Sequence, residues 1–179
     1  MGSSRFYGHP DHDACGVGFV AQLGSLGSRD VIERALTALV RLTHRGGVDA
    51  DGSSGDGAGL LLPIPKEFFR ARAREERVSL PAEFGIGMAF LPPAQEDEAR
   101  AAVEELSGIC DIHCCGWRKV PVDHSVLGPS ASATLPAIYQ CFFSSAKAGE
   151  AFEHQLFLLR KLIEACLLYT SPSPRDRQK

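Results

Sequence analysis

Apolar runs of strand length alternate with runs of helical period along this chain, and that alternation restricts its fold more than any other feature. Residues 15–22, 60–64, 84–91, 117–122 and 137–143 are short apolar or alternating runs, and each is expected to be a strand. Between them lie helical stripes. Ile32, Ala35, Leu36, Leu39 and Val40 recur at i, i+3, i+4, i+7 and i+8, behind an Asp30/Glu33 capping box and ahead of a stop at Gly46 and Gly47. Residues 66–77 read as a charged helix, and 96–106 as a helix with Ala99, Ala102, Val103 and Leu106 on one side. Residues 151–165 carry Phe152, Leu156, Leu159 and Ile163 on one side and Leu158 and Leu162 on another, so this helix is expected to be buried on two sides. Such an order admits a doubly wound α/β fold or a layered α+β fold.

Composition narrows the class. The chain has 179 residues, 44% hydrophobic and 23% charged, with net charge −3. That describes one globular domain, not a disordered chain or a disulfide-dense miniature. No basic stripe of the kind that binds nucleic acid precedes the last few residues. No apolar run reaches the roughly 20 residues that cross a bilayer, and no secretion signal opens the sequence, so no membrane partner and a cytoplasmic location are expected. The six cysteines are then free thiols. From residue 169 the sequence turns polar, Pro-rich and basic. Residues 166–179 read as a disordered tail, or as a vector scar or adaptor read-through foreign to the domain.

Cys15 follows a polar leader and precedes Gly16. It is either a small buried residue or a nucleophile. If the leader is removed, the new α-amine, of pKa near 8, stands beside its own thiol and can take its proton. Gly16 and Gly18 would let a substrate approach the backbone there. Arg45, with Gly46 and Gly47, can cap the preceding helix, or fork onto a substrate carboxylate. Gly55, Gly57 and Gly59 do not form a nucleotide loop, because a loop precedes them, a strand is expected after them, and the spacing is G-x-G-x-G. Cys110, His113, Cys114 and Cys115, with His124, invite a zinc reading, but adjacent Cys114 and Cys115 point apart in extended chain.

Together, Asp13-Ala14-Cys15-Gly16-Val17-Gly18-Phe19, His44-Arg45-Gly46-Gly47, Ala50-Asp51 and Gly55-Asp56-Gly57-Ala58-Gly59 resemble, in order, the start of the glutamate synthase large subunit. So do Leu62-Pro63-Ile64-Pro65-Lys66-Glu67-Phe68-Phe69 and Leu135-Pro136-Ala137-Ile138-Tyr139-Gln140. That start is a class II glutamine amidotransferase domain, an N-terminal nucleophile hydrolase. The resemblance implies an α+β fold, a four-layer α/β/β/α sandwich, incomplete here. It implies a propeptide over residues 1–14, catalytic Cys15 attacking L-glutamine, and residues 15–165 as the N-terminal part of the domain. Arg45, Gly46 and Gly47 become substrate-loop residues. Ammonia would pass to a synthase region of the same polypeptide for amination of 2-oxoglutarate. That region would use FMN and an iron–sulfur cluster, with a small reductase subunit as possible partner; no cofactor is expected in this stretch itself. The family's oxyanion hole uses an Asn-Gly pair, and no Asn occurs in the 179 residues; the last helix also carries two apolar stripes that further strands would cover, so the stretch alone is expected to be unstable or inactive. The alternatives are a non-catalytic binding module of the same fold, and a small zinc-binding protein.

Overall fold

The computed structural model describes residues 16–24, 28–42, 47, 50–55 and 57–168. They fall into two compact units, Met1–Pro63 with Asp123–Thr134, and Ile64–Val122 with Leu135–Lys179.

In the first unit the helix α1 spans Arg29–Arg41. It starts two residues earlier than a cap at Asp30 would place it, with Ser28 in extended conformation as N-cap and no side-chain cap bond. The capping box is absent because Asp30 lies inside the helix, where it and Glu33 pair with arginines instead. Arg34 pairs with Asp30 and Arg29 with Glu33, each at 2.8 Å and four residues apart. The helix ends at Arg41, short of Gly46. Its apolar stripe is not buried among the described residues, and Val40 is 72% exposed. A short helix α4, Pro129–Ala133, completes the unit, with Pro129 at its start, where a missing N–H costs nothing. Neither expected strand of this unit forms among the described residues: 16–22 and 60–63 pair with no other described strand, and Phe19 is 93% exposed. An apolar run becomes a strand only when a neighbouring backbone satisfies its N–H and C=O groups.

The second unit is a three-stranded sheet with helices packed against it. Its elements are α2 (Lys66–Glu75), β1 (Gly85–Leu91), α3 (Glu96–Ile109), β2 (His113–Lys119), β3 (Ala137–Ser144) and α5 (Glu150–Leu168). The strand order is β1-β3-β2 and both pairings are antiparallel. That excludes the doubly wound parallel alternative for this sheet, and the architecture is mixed helix and antiparallel sheet, an α+β arrangement. The strand expected over 117–122 is shifted toward the N-terminus, because Val120 leaves the ladder after a last bond to the Ile138 carbonyl while Cys114 and Gly116 pair with Phe143 and Phe142. Helix α5 continues through Leu168, beyond the boundary expected at Ala165.

The central strand β3 is covered on both faces, which explains its nearly unbroken apolar run. On one face Cys141 and Phe143 join Val103, Ile112 and Leu159 in a buried cluster, with Leu156 and Ile163 against it. Tyr139 and Ala137 join Leu91 and Ala99. On the other face Phe142 packs with Ala73 and Phe84, beside Phe69 and Ile86. Polar bonds fix α3 on the sheet: Tyr139 Oη donates to Glu96 Oε2 at 2.6 Å and Trp117 Nε1 to Glu104 Oε1 at 2.8 Å. Arg100 lies over both rings, 5.3 Å from Trp117 and 5.2 Å from Tyr139. Gly85 has a packing reason, since a Cβ there would stand 2.7 Å from Leu156 Cδ1 of α5. Of the two apolar stripes of α5, one is buried, with Phe152 and Leu159 inside; the other is not, and Phe157, Leu158 and Leu162 are exposed.

Candidate active site

The polar loop after α1 is organised around Asp51. Its Oδ1 accepts the backbone N–H groups of Ser53 at 2.9 Å and Ser54 at 2.7 Å, an Asx turn written in the sequence Asp-Gly-Ser-Ser. Its Oδ2 accepts from Ser54 Oγ at 2.5 Å and from the backbone N–H of Ser130 at 3.1 Å. Ser54 Oγ in turn accepts the N–H of Ala131 at 3.1 Å. One carboxylate therefore closes the loop and ties it to the first turn of α4. These donors, the Ser54 hydroxyl foremost, hold the Asp51 carboxyl well below the usual carboxylate range. The fit is close: a Cβ on Gly128 would stand 2.6 Å from the Ser54 backbone nitrogen.

Of the residues that the sequence assigns to catalysis and substrate, Cys15, Arg45 and Gly46 lie outside the described residues. Gly47 lies within them and is exposed, and a Cβ on Gly55 would come within 3.2 Å of its carbonyl oxygen. The two ends of the glycine-rich stretch thus approach each other around Asp51. Sequence reading placed Asp51 in the motif but missed its partners Ser54 and Ser130; the Asx-turn pattern was the available signal for the first, and nothing local signals the second.

The second unit carries thiols instead. Cys114 Sγ and Cys141 Sγ lie 3.3 Å apart on one face of the sheet, while Cys115 Sγ turns to the other and meets Ser144 Oγ at 3.2 Å. Burial pushes the Cys141 thiol far up, and burial also raises Cys115 and Cys110. The hydrogen bond from Cys141 lowers Cys114. Among the described residues no three His, Cys, Asp or Glu side chains gather to hold a metal ion, which removes the zinc alternative built on Cys110, His113, Cys114 and His124. The reason is strand geometry, which sends neighbouring ligands to opposite faces. A cavity of about 280 Å³ lined by Arg70, Arg74, Arg77, Val78, Ser79 and Leu80 contains none of the assigned residues. Among the described residues no helix is long and apolar enough to cross a membrane.

The profile of the class-II glutamine amidotransferases matches residues 15–176, and the chain belongs to that family. Its relatives include ferredoxin-dependent glutamate synthase 1 of Arabidopsis thaliana, 40% identical over an alignment of 162 residues that covers 86% of this chain and 10% of the relative. The ferredoxin-dependent glutamate synthase 2 of Synechocystis is 38% identical over 168 residues, covering 88% of this chain and 11% of the relative. The large chain of the NADPH glutamate synthase of Azospirillum brasilense is 36% identical over 160 residues, covering 86% and 11%. The chain therefore spans about a tenth of the length of the curated relatives it matches.

Proposed function

We propose that this chain is the glutaminase portion of a glutamate synthase, with Cys15 as its nucleophile. The observation that carries the reading is a coincidence of position: the family match begins at Cys15, the residue that a removable leader would leave at a new N-terminus. In this reading residues 1–14 are a propeptide. The freed α-amine takes the thiol proton, and the thiolate attacks the carboxamide carbon of L-glutamine. The C–N bond breaks as ammonia leaves with the proton returned by the amine. Water then hydrolyses the thioester to glutamate and regenerates the thiol. Arg45 forks onto the glutamine α-carboxylate, and Gly46 and Gly47 let the substrate lie against backbone.

The same reading makes the three-stranded sheet one half of a four-layer sandwich. What supports this is the part of β1 that α2 leaves uncovered on the face away from α3 and α5, where Met88 is 50% and Phe90 61% exposed, an apolar surface fit for a second sheet. In the whole enzyme, cytoplasmic or in a plastid, ammonia passes to a synthase region that aminates 2-oxoglutarate, with a small reductase subunit as a further partner. FMN and the iron–sulfur cluster belong to that region. The thiols here do not fit a cluster, because Cys114 and Cys141 face away from Cys115.

The test is N-terminal sequencing of the full-length enzyme, followed by labelling with a glutamine-analogue electrophile. A mature terminus at Cys15 carrying the label is expected. An intact leader, or label on another residue, refutes the reading and leaves a non-catalytic module of the same fold.

A further inference from the structure

Glutamine hydrolysis has no use for the thiols on β2 and β3, yet two of them touch. Cys141 is 2% exposed in the middle of the central strand, among Val103, Ile112, Phe143 and Leu159. Cys114 is partly exposed and stands diagonal to it, paired with Phe143, while the register shifts between Cys114 and Gly116 before Trp117 meets Cys141. Their sulfurs are 3.3 Å apart. We propose that Cys114 and Cys141 form an oxidation site, at which a peroxide converts two thiols into a disulfide joining β2 to β3.

The steps balance. The Cys114 thiol gives up its proton, the thiolate attacks one peroxide oxygen, the O–O bond breaks, and the departing hydroxide takes up that proton, so that a sulfenic acid and one water result. The Cys141 sulfur then attacks the Cys114 sulfur. The S–O bond breaks, the hydroxyl leaves with the Cys141 proton as a second water, and the S–S bond forms. Two thiols lose two electrons and the peroxide gains them. The order follows from position. Cys114 is the thiol that solvent reaches, and the hydrogen bond from Cys141 favours its thiolate. Cys141 is the resolving thiol. A disulfide brings sulfurs to about 2.05 Å, so the pair must close by about 1.2 Å from its present separation. The irregular ladder at Cys114 is where the backbone can yield, since a bulge leaves one residue outside the pairing. Cys115 is excluded as partner by facing Ser144 on the opposite side. Cys110, at the C-cap of α3 and packed on the same cluster, is the competitor.

The experiment oxidises the whole 179-residue chain with hydrogen peroxide, digests it with trypsin without reductant, and weighs the peptides. The expected product joins residues 101–118 to 120–147 with loss of two hydrogens. It persists in Cys110→Ser, disappears in Cys114→Ser, and its yield falls when the chain is oxidised in concentrated urea. Cys141→Ser leaves a sulfenic acid at Cys114 that dimedone traps. Cys114→Ser keeps the test sound if the core variant does not fold. The proposal is overturned if Cys110→Ser abolishes the link. It is equally overturned if Cys114 is oxidised beyond sulfenic acid while Cys141 stays a thiol, or if neither reacts at a peroxide excess that oxidises a free cysteine peptide.

Discussion

Replacing Leu159 by Ala tests whether α5 really holds the sheet. Its side chain is 2% exposed and meets residues of α3, of β3, and Ile112 just before β2. Truncation removes the transfer free energy of the lost carbons and leaves a cavity. Because sheet, α3 and α5 all border the site, little collapse can refill it, and the cost belongs in the range of about 3–4 kcal/mol. Leu158, the next residue on the helix, is 44% exposed. With roughly half of its burial to lose and no cavity to leave, Leu158→Ala is expected to cost about 1 kcal/mol or less. Urea titration followed by the fluorescence of Trp117, the one tryptophan, reads both, since its ring packs on the same cluster. If Leu159→Ala leaves too little folded chain to titrate, Ile112→Val offers a gentler probe of the same cluster. That side chain is 3% exposed, and its truncation is expected to cost about 1 kcal/mol. Equal costs for Leu158 and Leu159, or an Ile112→Val variant indistinguishable from the parent, would refute the packing argument.

Three further outcomes are expected. Gln155, buried on α5, accepts from Ser145 Oγ at 2.8 Å and donates to the Cys110 carbonyl at 2.9 Å. Gln155→Leu leaves both without their partner and should lower stability by about 1–3 kcal/mol in the same titration, whereas a neutral result would show that water replaces it. Gly85→Val drives a side chain into Leu156, so a lower melting temperature is expected, and none should follow from Met88→Val at an exposed position of the same strand. Asp51→Asn weakens the tie between loop and α4. Amide exchange at Ser130 and Ala131 should quicken in the variant while that of β3 is unchanged. The carboxyl of Asp51 titrates lower when folded than unfolded, so its contribution is present above the ordinary aspartate pKa of about 3.9 and fades as pH falls below it. Protection of the Ser130 and Ala131 amides, relative to their intrinsic exchange at each pH, that stays constant down through that range in the parent would contradict the assignment.

The helices were the legible part of this chain. The stripes over 96–106 and 151–165 announced α3 and α5 because a helix satisfies its backbone bonds within itself, and the apolar period alone reports its face. The strands were legible only where a partner exists. Residues 84–91 and 137–143 became β1 and β3, whereas 16–22 and 60–64, equally apolar, found no ladder among the described residues. Sequence likewise could not tell which stripe of α5 is covered. Phe152 and Leu159 are inside and Leu158 and Leu162 outside because β3 and α3 stand on one side of that helix.

The candidate site divides the same way. The ordered motifs from Cys15 to Gly59 are chemistry spelled in residue types, and they pointed to the amidotransferase family that the comparisons then identified. The Asx turn at Asp51 is also local, since Ser53 and Ser54 follow it directly. The bond from Ser130 to Asp51 spans 79 residues, and the contact of Cys114 with Cys141 spans 27. Local sequence carries the rules for a turn or a helix, because the atoms that bond are near in the chain. Contacts between distant residues wait on the tertiary structure: the thiols meet only once the sheet order β1-β3-β2 and the irregular ladder in β2 set Cys114 beside Cys141, and Ser130 reaches Asp51 only once the first turn of α4 packs on the loop.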